Sequence, residues 1–106
     1  MYHDRYSETF DAKKSSSQFR HLAKQVLNKC NLILQAPYGA CKSEPLKYEW
    51  ARKRSGRLTE QLRIIYKICE ECQKRGEQEP NHMVNCLSCE GVPAKTVNFL
   101  DITEYH

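Results

Sequence analysis

Four cysteines occur in two pairs with the spacing of a metal site. Two residues separate Cys69 from Cys72 and Cys86 from Cys89, and thirteen residues lie between the pairs. Two residues between thiolates let both sulfurs of a tight turn face one ion, and two such turns complete a tetrahedron. The pattern therefore predicts one structural zinc ion. Four protein ligands leave no open coordination position, so this ion would not take part in catalysis.

The cysteine count has two other interpretations. A secreted protein of this size could use six cysteines for disulfides, but the N-terminus lacks the apolar segment of a signal peptide and no apolar run could span a bilayer. A thioredoxin-like redox motif would need a βαβ setting, which the pattern does not predict. We therefore expect a cytoplasmic protein with no membrane association. Its 106 residues predict a single domain, 1–106.

Positive charge is concentrated in the middle of the chain. Residues 41–67 contain eight Lys or Arg and three Glu, which gives +5, whereas the whole protein carries +4 and the remainder therefore −1. A local positive field suits a polyanion such as RNA. An ordinary solvated face is the other interpretation, and composition does not decide between them. Four basic residues in this run are candidates for RNA binding: Arg52, Lys53, Arg54 and Arg57.

Hydrophobic periodicity predicts an α+β fold. After the serines at 15–17, which could begin a helix, apolar residues recur at three- and four-residue steps from Phe19 to Leu34. Pro37 and Gly39 would end this helix, and Cys30 lies in its apolar stripe as a core residue. A weak strand is possible within residues 1–14.

Three strands are expected in the second half of the chain. They are predicted around residues 48–54, 62–68 and 97–105, with Ser55 and Gly56 as a turn between the first two. The predicted architecture is a small antiparallel sheet with the N-terminal helix or helices on one face. Residues 69–95 would form a zinc-binding knuckle inserted between the last two strands, because a structureless loop of that length is unusual.

The order of several short motifs resembles the RelE/YoeB/HigB toxins of the RelE/ParE superfamily. An EPLK turn begins at Glu44, an aromatic and basic segment follows from Trp50, and a strand reading RIIYK begins at Arg63. The chain ends on Tyr105 and His106, as members of this family do. The resemblance covers residues 19–68 and 96–106, and the cysteine segment is a departure from it.

The resemblance implies a function and partners. It implies a ribosome-dependent endoribonuclease that cleaves mRNA and is neutralised by a cognate antitoxin. Cleavage of RNA by its own 2′-hydroxyl needs a base, an acid for the leaving oxygen, and cations beside the phosphate. The candidate catalytic residues are Glu44, Lys47, Arg63, Tyr105 and His106, and Arg52 or Arg54 could also hold the phosphate. This scheme requires no metal in the chemistry.

Two other functions remain open at this point. A toxin of the gyrase-inhibiting branch would share the fold without nuclease activity, and would not be expected to need Tyr105 and His106. A zinc-ribbon-like adaptor would explain the cysteines and the basic segment, but not the spacing from EPLK to RIIYK. Individually, Glu44 could be an ordinary loop carboxylate and Arg63 the solvent side of its strand.

Overall fold

The computed structural model of the protein describes residues 1–46, 53–74 and 93–104. Within these ranges the chain forms helices and strands with the following bounds: β1 His3–Tyr6, α1 Glu8–Lys14, α2 Ala23–Gln35, β2 Glu44–Pro45, β3 Arg54–Arg57, β4 Leu62–Ile68, α3 Cys69–Lys74 and β5 Thr96–Glu104. The α+β class is as predicted. None of the helices in the described ranges is long and apolar enough to cross a membrane.

The five strands form one mixed sheet in the order β1-β5-β4-β3-β2. Strands β2 to β5 pair antiparallel with their neighbours, whereas β1 pairs parallel to β5, with His3 opposite Thr96. The prediction of an antiparallel sheet is therefore wrong at this edge. The reason is that the first strand pairs with the last, and a four-residue strand carries too little pattern to reveal so distant a partner.

The helical region begins earlier than the sequence predicted. Ser7 is the N-cap of α1: its Oγ accepts a hydrogen bond from the Phe10 amide at 3.0 Å and donates one to the Leu100 carbonyl at 2.7 Å. The serine expected to start a helix, Ser15, is the C-cap of α1. A short 3-10 turn then leads into α2, whose Val26, Cys30, Ile33 and Leu34 are buried as the stripe predicted, whereas Leu27, predicted in the same stripe, is 59% exposed.

The main core lies between the helices and one face of the sheet. Rings of Tyr6, Phe10 and Phe99 lie with centroids 5.3–5.6 Å apart, so β1 and α1 dock together on β5. The buried members of this core are Phe10, Phe19, Val26, Cys30, Ile33, Leu34, Leu58, Ile64, Tyr66, Ile68, Val97, Phe99 and Ile102. A smaller buried cluster of Leu46, Ile65 and Leu100 lies on the opposite face.

The predicted turn at Ser55 and Gly56 is wrong, because both residues lie inside β3. The connection to β4 is made at residues 58–61, where the Leu58 amide bonds the Leu62 carbonyl at 3.0 Å and the Thr59 Oγ1 accepts the Leu62 amide at 3.0 Å. Gly56 is needed for packing: a Cβ there would lie 3.0 Å from the Ile33 Cδ1 and 3.4 Å from the Cys41 Cβ. The absence of a side chain at Gly56 thus lets α2 and the turn at residues 40–42 pack directly against β3.

We expect Gly56→Ala to lower the free energy of unfolding by about 1–3 kcal/mol, because the added methyl overpacks against the buried Ile33. Gly39→Ala is the matched control, since a Cβ at Gly39 meets nothing within 4 Å. Denaturant unfolding of both variants checks this. The double variant Gly56→Ala with Ile33→Val should lose less stability than the two single changes add up to. Strict additivity would show that Ile33 is not the group in conflict.

Candidate active site

Arg63 lies on the sheet face opposite the helices and is held in a fixed orientation. Its Nε donates to the Ser55 Oγ at 2.7 Å, and its Nη2 donates to the Lys42 carbonyl at 3.1 Å and approaches the Ser55 carbonyl at 3.5 Å. Its side chain is 13% exposed. Within the described part of the chain Nη1 has no partner, so one edge of the guanidinium remains available to bind an anion.

Glu44 is brought beside this arginine by strand pairing. β2 places Glu44 opposite Ser55, the residue that holds Arg63. The Glu44 Oε1 lies 3.5 Å from the Arg63 Nη2, and its side chain is 53% exposed. A carboxylate that is half exposed beside a buried guanidinium can contact a ligand and also exchange protons with it. The two residues taken from the EPLK and RIIYK motifs therefore meet in the structure.

An unusual turn precedes Glu44. Cys41 and Lys42 have φ values of 56° and 55°, in the left-handed region, and neither is glycine. This conformation costs roughly 1–2 kcal/mol per residue. The turn directs the Lys42 carbonyl at Arg63, and the next residue, Ser43, donates from its Oγ to the Pro37 carbonyl at 3.1 Å.

The four predicted RNA-binding residues have different surroundings. Arg57 is exposed and pairs in register with Arg63, so it adds positive charge on the same face. Lys53 is only 2% exposed. Arg54 is 17% exposed and makes a forked ion pair with Glu71, at 3.0 and 3.4 Å. Arg52 lies outside the described residues.

Arg54 belongs to a polar network that joins the start of α3 to the rest of the domain. Its guanidinium carbon lies 4.9 Å from the centroid of the Tyr38 ring, and its Nη1 donates to the Ser43 Oγ at 3.3 Å. The Tyr66 hydroxyl lies 2.6 Å from the same Oγ and donates to the Pro37 carbonyl at 2.6 Å. Burial raises the pKa of Tyr66, which keeps it a hydrogen-bond donor.

Glu70, at the other side of this network, accepts hydrogen bonds from two tyrosine hydroxyls. Tyr2 donates to its Oε1 at 2.5 Å and Tyr38 at 3.0 Å. The hydrogen bond to Glu70, with some burial, raises the pKa of Tyr2 to about 12. The pKa of Tyr38 is also raised, mainly by burial and in addition by its hydrogen bond to Glu70. Tyr2, near the N-terminus, is thereby connected to α3 through Glu70.

Only part of the predicted zinc site falls within the described residues. Cys69 is the first residue of α3, its side chain is fully buried, and its Sγ accepts a hydrogen bond from the Asn98 Nδ2 at 2.9 Å. Cys72 lies in the same helix, and Cys86 and Cys89 lie outside the described residues. Among the described side chains no three potential ligands form a cluster. The zinc site therefore stays a prediction.

Three further catalytic candidates, Lys47, Tyr105 and His106, lie outside the described residues. Cys30 is buried in the main core, as predicted, and burial raises the pKa of its thiol to about 12. Cys41 is partly buried in the left-handed turn.

Two groups of the site were not identified from the sequence. Ser55 was assigned to a turn, and the Lys42 carbonyl is a main-chain group with no side-chain signature. Ser55 could have been found once β3 was placed correctly, because residues two apart in a strand share a face and Arg57 was already a candidate. The backbone acceptor required the left-handed turn, which no residue type at 41 or 42 indicates.

Comparison with solved structures identifies the fold. A YoeB/ParE toxin from Agrobacterium tumefaciens has a TM-score of 0.63 at 13% identity, covering 98% of this chain and 99% of that one. YafQ from E. coli strain BL21(DE3) has a TM-score of 0.61 at 16% sequence identity, and the match covers 98% of this chain and 93% of YafQ. A chain of the heterotetrameric YoeB–YefM toxin-antitoxin complex from Staphylococcus aureus has a TM-score of 0.59 at 13% sequence identity. The match covers 100% of this chain and 98% of that one.

Sequence comparison adds nothing to this, since neither a scan of protein-family models nor a search of curated proteins finds a match. At identities this low the structural likeness establishes the fold alone. The chain has the fold of the YoeB and YafQ toxins over nearly its whole length.

The raised pKa of Tyr2 predicts a specific loss of stability at alkaline pH. Tyrosine in the unfolded chain loses its proton near pH 10.0, whereas folded Tyr2 keeps it to about pH 12. The unfolded state therefore binds fewer protons in this window, and the free energy of unfolding falls as pH rises through it. We expect Tyr2→Phe to make this fall shallower, and Glu70→Gln to shift tyrosinate formation at Tyr2 to lower pH. Unfolding curves and ultraviolet titration measure both, and a slope unchanged in Tyr2→Phe would contradict the assignment.

Proposed function

We propose that this protein is the toxin of a type II toxin-antitoxin system, and that it cleaves mRNA on the ribosome. The observation that carries the proposal is the pairing of the fixed Arg63 guanidinium with the half-exposed Glu44 carboxylate, 3.5 Å apart. Support comes from the fold, which is that of solved toxins, and from the motifs that supply these two residues.

Arg63 would bind the phosphate at the cleaved bond. Negative charge on the phosphate oxygens rises as the 2′-oxygen attacks, and a fixed cation stabilises that charge without reorganising. The bonds to Ser55 and Lys42 hold the guanidinium before substrate arrives, so little conformational entropy is lost on binding. Arg57, exposed on the same face, would contact neighbouring phosphates and make binding strongly salt-dependent.

Glu44 would act as the general base. Its carboxylate takes the proton of the ribose 2′-hydroxyl as the 2′-oxygen bonds to phosphorus, the bond from phosphorus to the 5′-oxygen breaks, and a 2′,3′-cyclic phosphate remains. The leaving 5′-oxygen needs a proton, for which we propose His106 or Tyr105, with Lys47 as a further cation at the phosphate. The proton balance then closes without a cofactor.

A cognate antitoxin is the proposed protein partner. The structural neighbour from Staphylococcus aureus was solved as a heterotetrameric YoeB–YefM toxin-antitoxin complex. An antitoxin that covers the exposed Glu44 and Arg57 side chains would exclude RNA from the site.

We also propose that Cys69, Cys72, Cys86 and Cys89 hold one structural zinc ion. The two CxxC pairs have suitable spacing, and the hydrogen bond that the Asn98 side-chain amide donates to the Cys69 sulfur is the kind of contact that supports a metal-bound thiolate. A bound ion would supply rigidity to the segment after β4 and nothing to the chemistry. Because α3 is joined to β3 by the pair of Arg54 and Glu71, the metal would also stabilise the site indirectly.

We expect Arg63→Ala to reduce mRNA cleavage by about 10²–10³-fold and Glu44→Gln by about 10²-fold or more. The cleavage rate of Arg63→Lys should lie between those of wild type and Arg63→Ala, because lysine keeps the positive charge but lacks the planar guanidinium that donates two hydrogen bonds to a phosphate. The assay is cleavage of a defined mRNA in a translation reaction, with and without ribosomes, with cut ends mapped by primer extension. Arg20→Ala is the matched control, since Arg20 is exposed in the helical layer.

Each alternative outcome identifies a different function. Growth arrest with intact mRNA, together with inhibited DNA supercoiling, would replace the nuclease with a gyrase inhibitor. Absence of any growth effect in cells that lack the antitoxin, with the protein folded, would favour a non-catalytic binding module.

Purified protein should contain about one zinc ion per chain. We expect Cys86→Ser to abolish stoichiometric zinc and to lower the melting temperature, and a chelator to do the same to the wild type. Cys41→Ser, outside the two pairs, should retain the metal. Metal analysis by mass spectrometry decides this, and reduced, folded wild-type protein without zinc would refute the site.

A further inference from the structure

We propose that the left-handed turn at Cys41 and Lys42 is the element that positions the Arg63 guanidinium, with Lys42 acting through its main-chain carbonyl. This inference rests on the proposed function for its catalytic consequence but not for its structural part. Arg63 and Glu44 come from different strands, and the turn is the segment that contacts the first and leads directly into the second.

The conformation of the turn is unfavourable by itself and must be maintained by its surroundings. Two successive non-glycine residues with φ near 55° are rare, and such conformations persist only where the structure over-determines them. The Cys41 side chain packs against the main core, and its Cβ lies 3.4 Å from the place a Gly56 side chain would occupy. The turn therefore packs directly against β3 at Gly56, the one residue of that strand without a side chain.

Hydrogen bonds fix both sides of the turn. The Ser43 amide bonds the Ala40 carbonyl at 3.0 Å, and the Ser43 Oγ lies within bonding distance of Pro37, Arg54 and Tyr66. The Lys42 side chain itself is exposed. The position of the Lys42 carbonyl is thus decided by the backbone and by its neighbours, and not by the lysine ammonium.

The Lys42 carbonyl completes the orientation of the guanidinium. Ser55 holds Nε through its Oγ at 2.7 Å, whereas its carbonyl lies at 3.5 Å from Nη2, a longer and weaker contact. The bond from Nη2 to the Lys42 carbonyl, at 3.1 Å, fixes the second point of the plane. With both bonds made, Nη1 has no partner among the described residues, and the Glu44 carboxylate, two residues beyond Lys42, lies 3.5 Å from Nη2.

The test compares two variants that both remove the Lys42 ammonium and differ only in backbone preference. Lys42→Gly adopts the left-handed conformation without strain, whereas Lys42→Val, which is β-branched, opposes it. The first readout is the NMR signal of the Arg63 Nη2 hydrogens, the ones that the Lys42 carbonyl accepts, assigned by its loss in Arg63→Lys. We expect slow exchange with water in wild type and Lys42→Gly and fast exchange in Lys42→Val. The melting temperature should rise by several degrees in Lys42→Gly and fall in Lys42→Val.

The second readout is cleavage of mRNA. We expect kcat to be at least about tenfold lower in Lys42→Val than in Lys42→Gly, because small displacements of a catalytic group are costly. The two variants should not differ when Arg63 is replaced by lysine. If Lys42→Val does not fold, Lys42→Ala against Lys42→Gly decides in the same way.

The outcomes separate the inference from the proposed function. Identical Arg63 signals in the glycine and valine variants would overturn the positioning role, whatever the activity. Absence of mRNA cleavage in wild type, with the expected difference in Arg63 exchange, would refute the nuclease and leave the positioning role standing.

Discussion

The alternation of side chains along β4 is the constraint on which the fold and the candidate site both depend. Ile64, Tyr66 and Ile68 point into the helical core, so Arg63 must point to the opposite face. A slip of one residue in register would bury the arginine among the helices and expose the core. The apolar half of one strand thus determines the face of the sheet on which Arg63 lies, and the hydrogen bonds to Ser55 and Lys42 then fix its guanidinium.

The helical layer reaches the candidate site through one close contact. Ile33 of α2, Gly56 of β3 and the Cys41 turn meet where even a methyl group on Gly56 would crowd the Ile33 side chain. The left-handed turn lies beside Gly56, and Ser43 connects it to Pro37 and Tyr66 by hydrogen bonds. Such local strain is retained where a position is more important than stability, and here that position is the acceptor for Arg63.

The cysteine segment and the candidate active site are connected through α3. Glu70 and Glu71 at its start bind Tyr2, Tyr38 and Arg54, and Arg54 is adjacent to Ser55, which holds Arg63. Arg54 makes an internal ion pair with Glu71, and its predicted contact with RNA stays a prediction. The same fold supports different activities, so the proposed chemistry depends on Glu44 and Arg63 and not on the architecture alone.

Sequence alone was sufficient for the α+β class, most of the apolar stripe of α2 and the two long strands, because each follows from local periodicity. Short motifs singled out Glu44 and Arg63, and their catalytic roles stay predictions. The paired cysteines likewise predict a metal by spacing, independently of the fold. Tertiary structure decided what local pattern cannot express. The four-residue β1 pairs parallel to a strand more than 90 residues away. Ser55 and Gly56 belong to a strand because they pair with Ile65 and Ile64 of β4, and the lack of a side chain at Gly56 leaves room for Ile33. The acceptor for Arg63 is a backbone carbonyl, and its direction is set by contacts between distant segments and by no residue type at its own position.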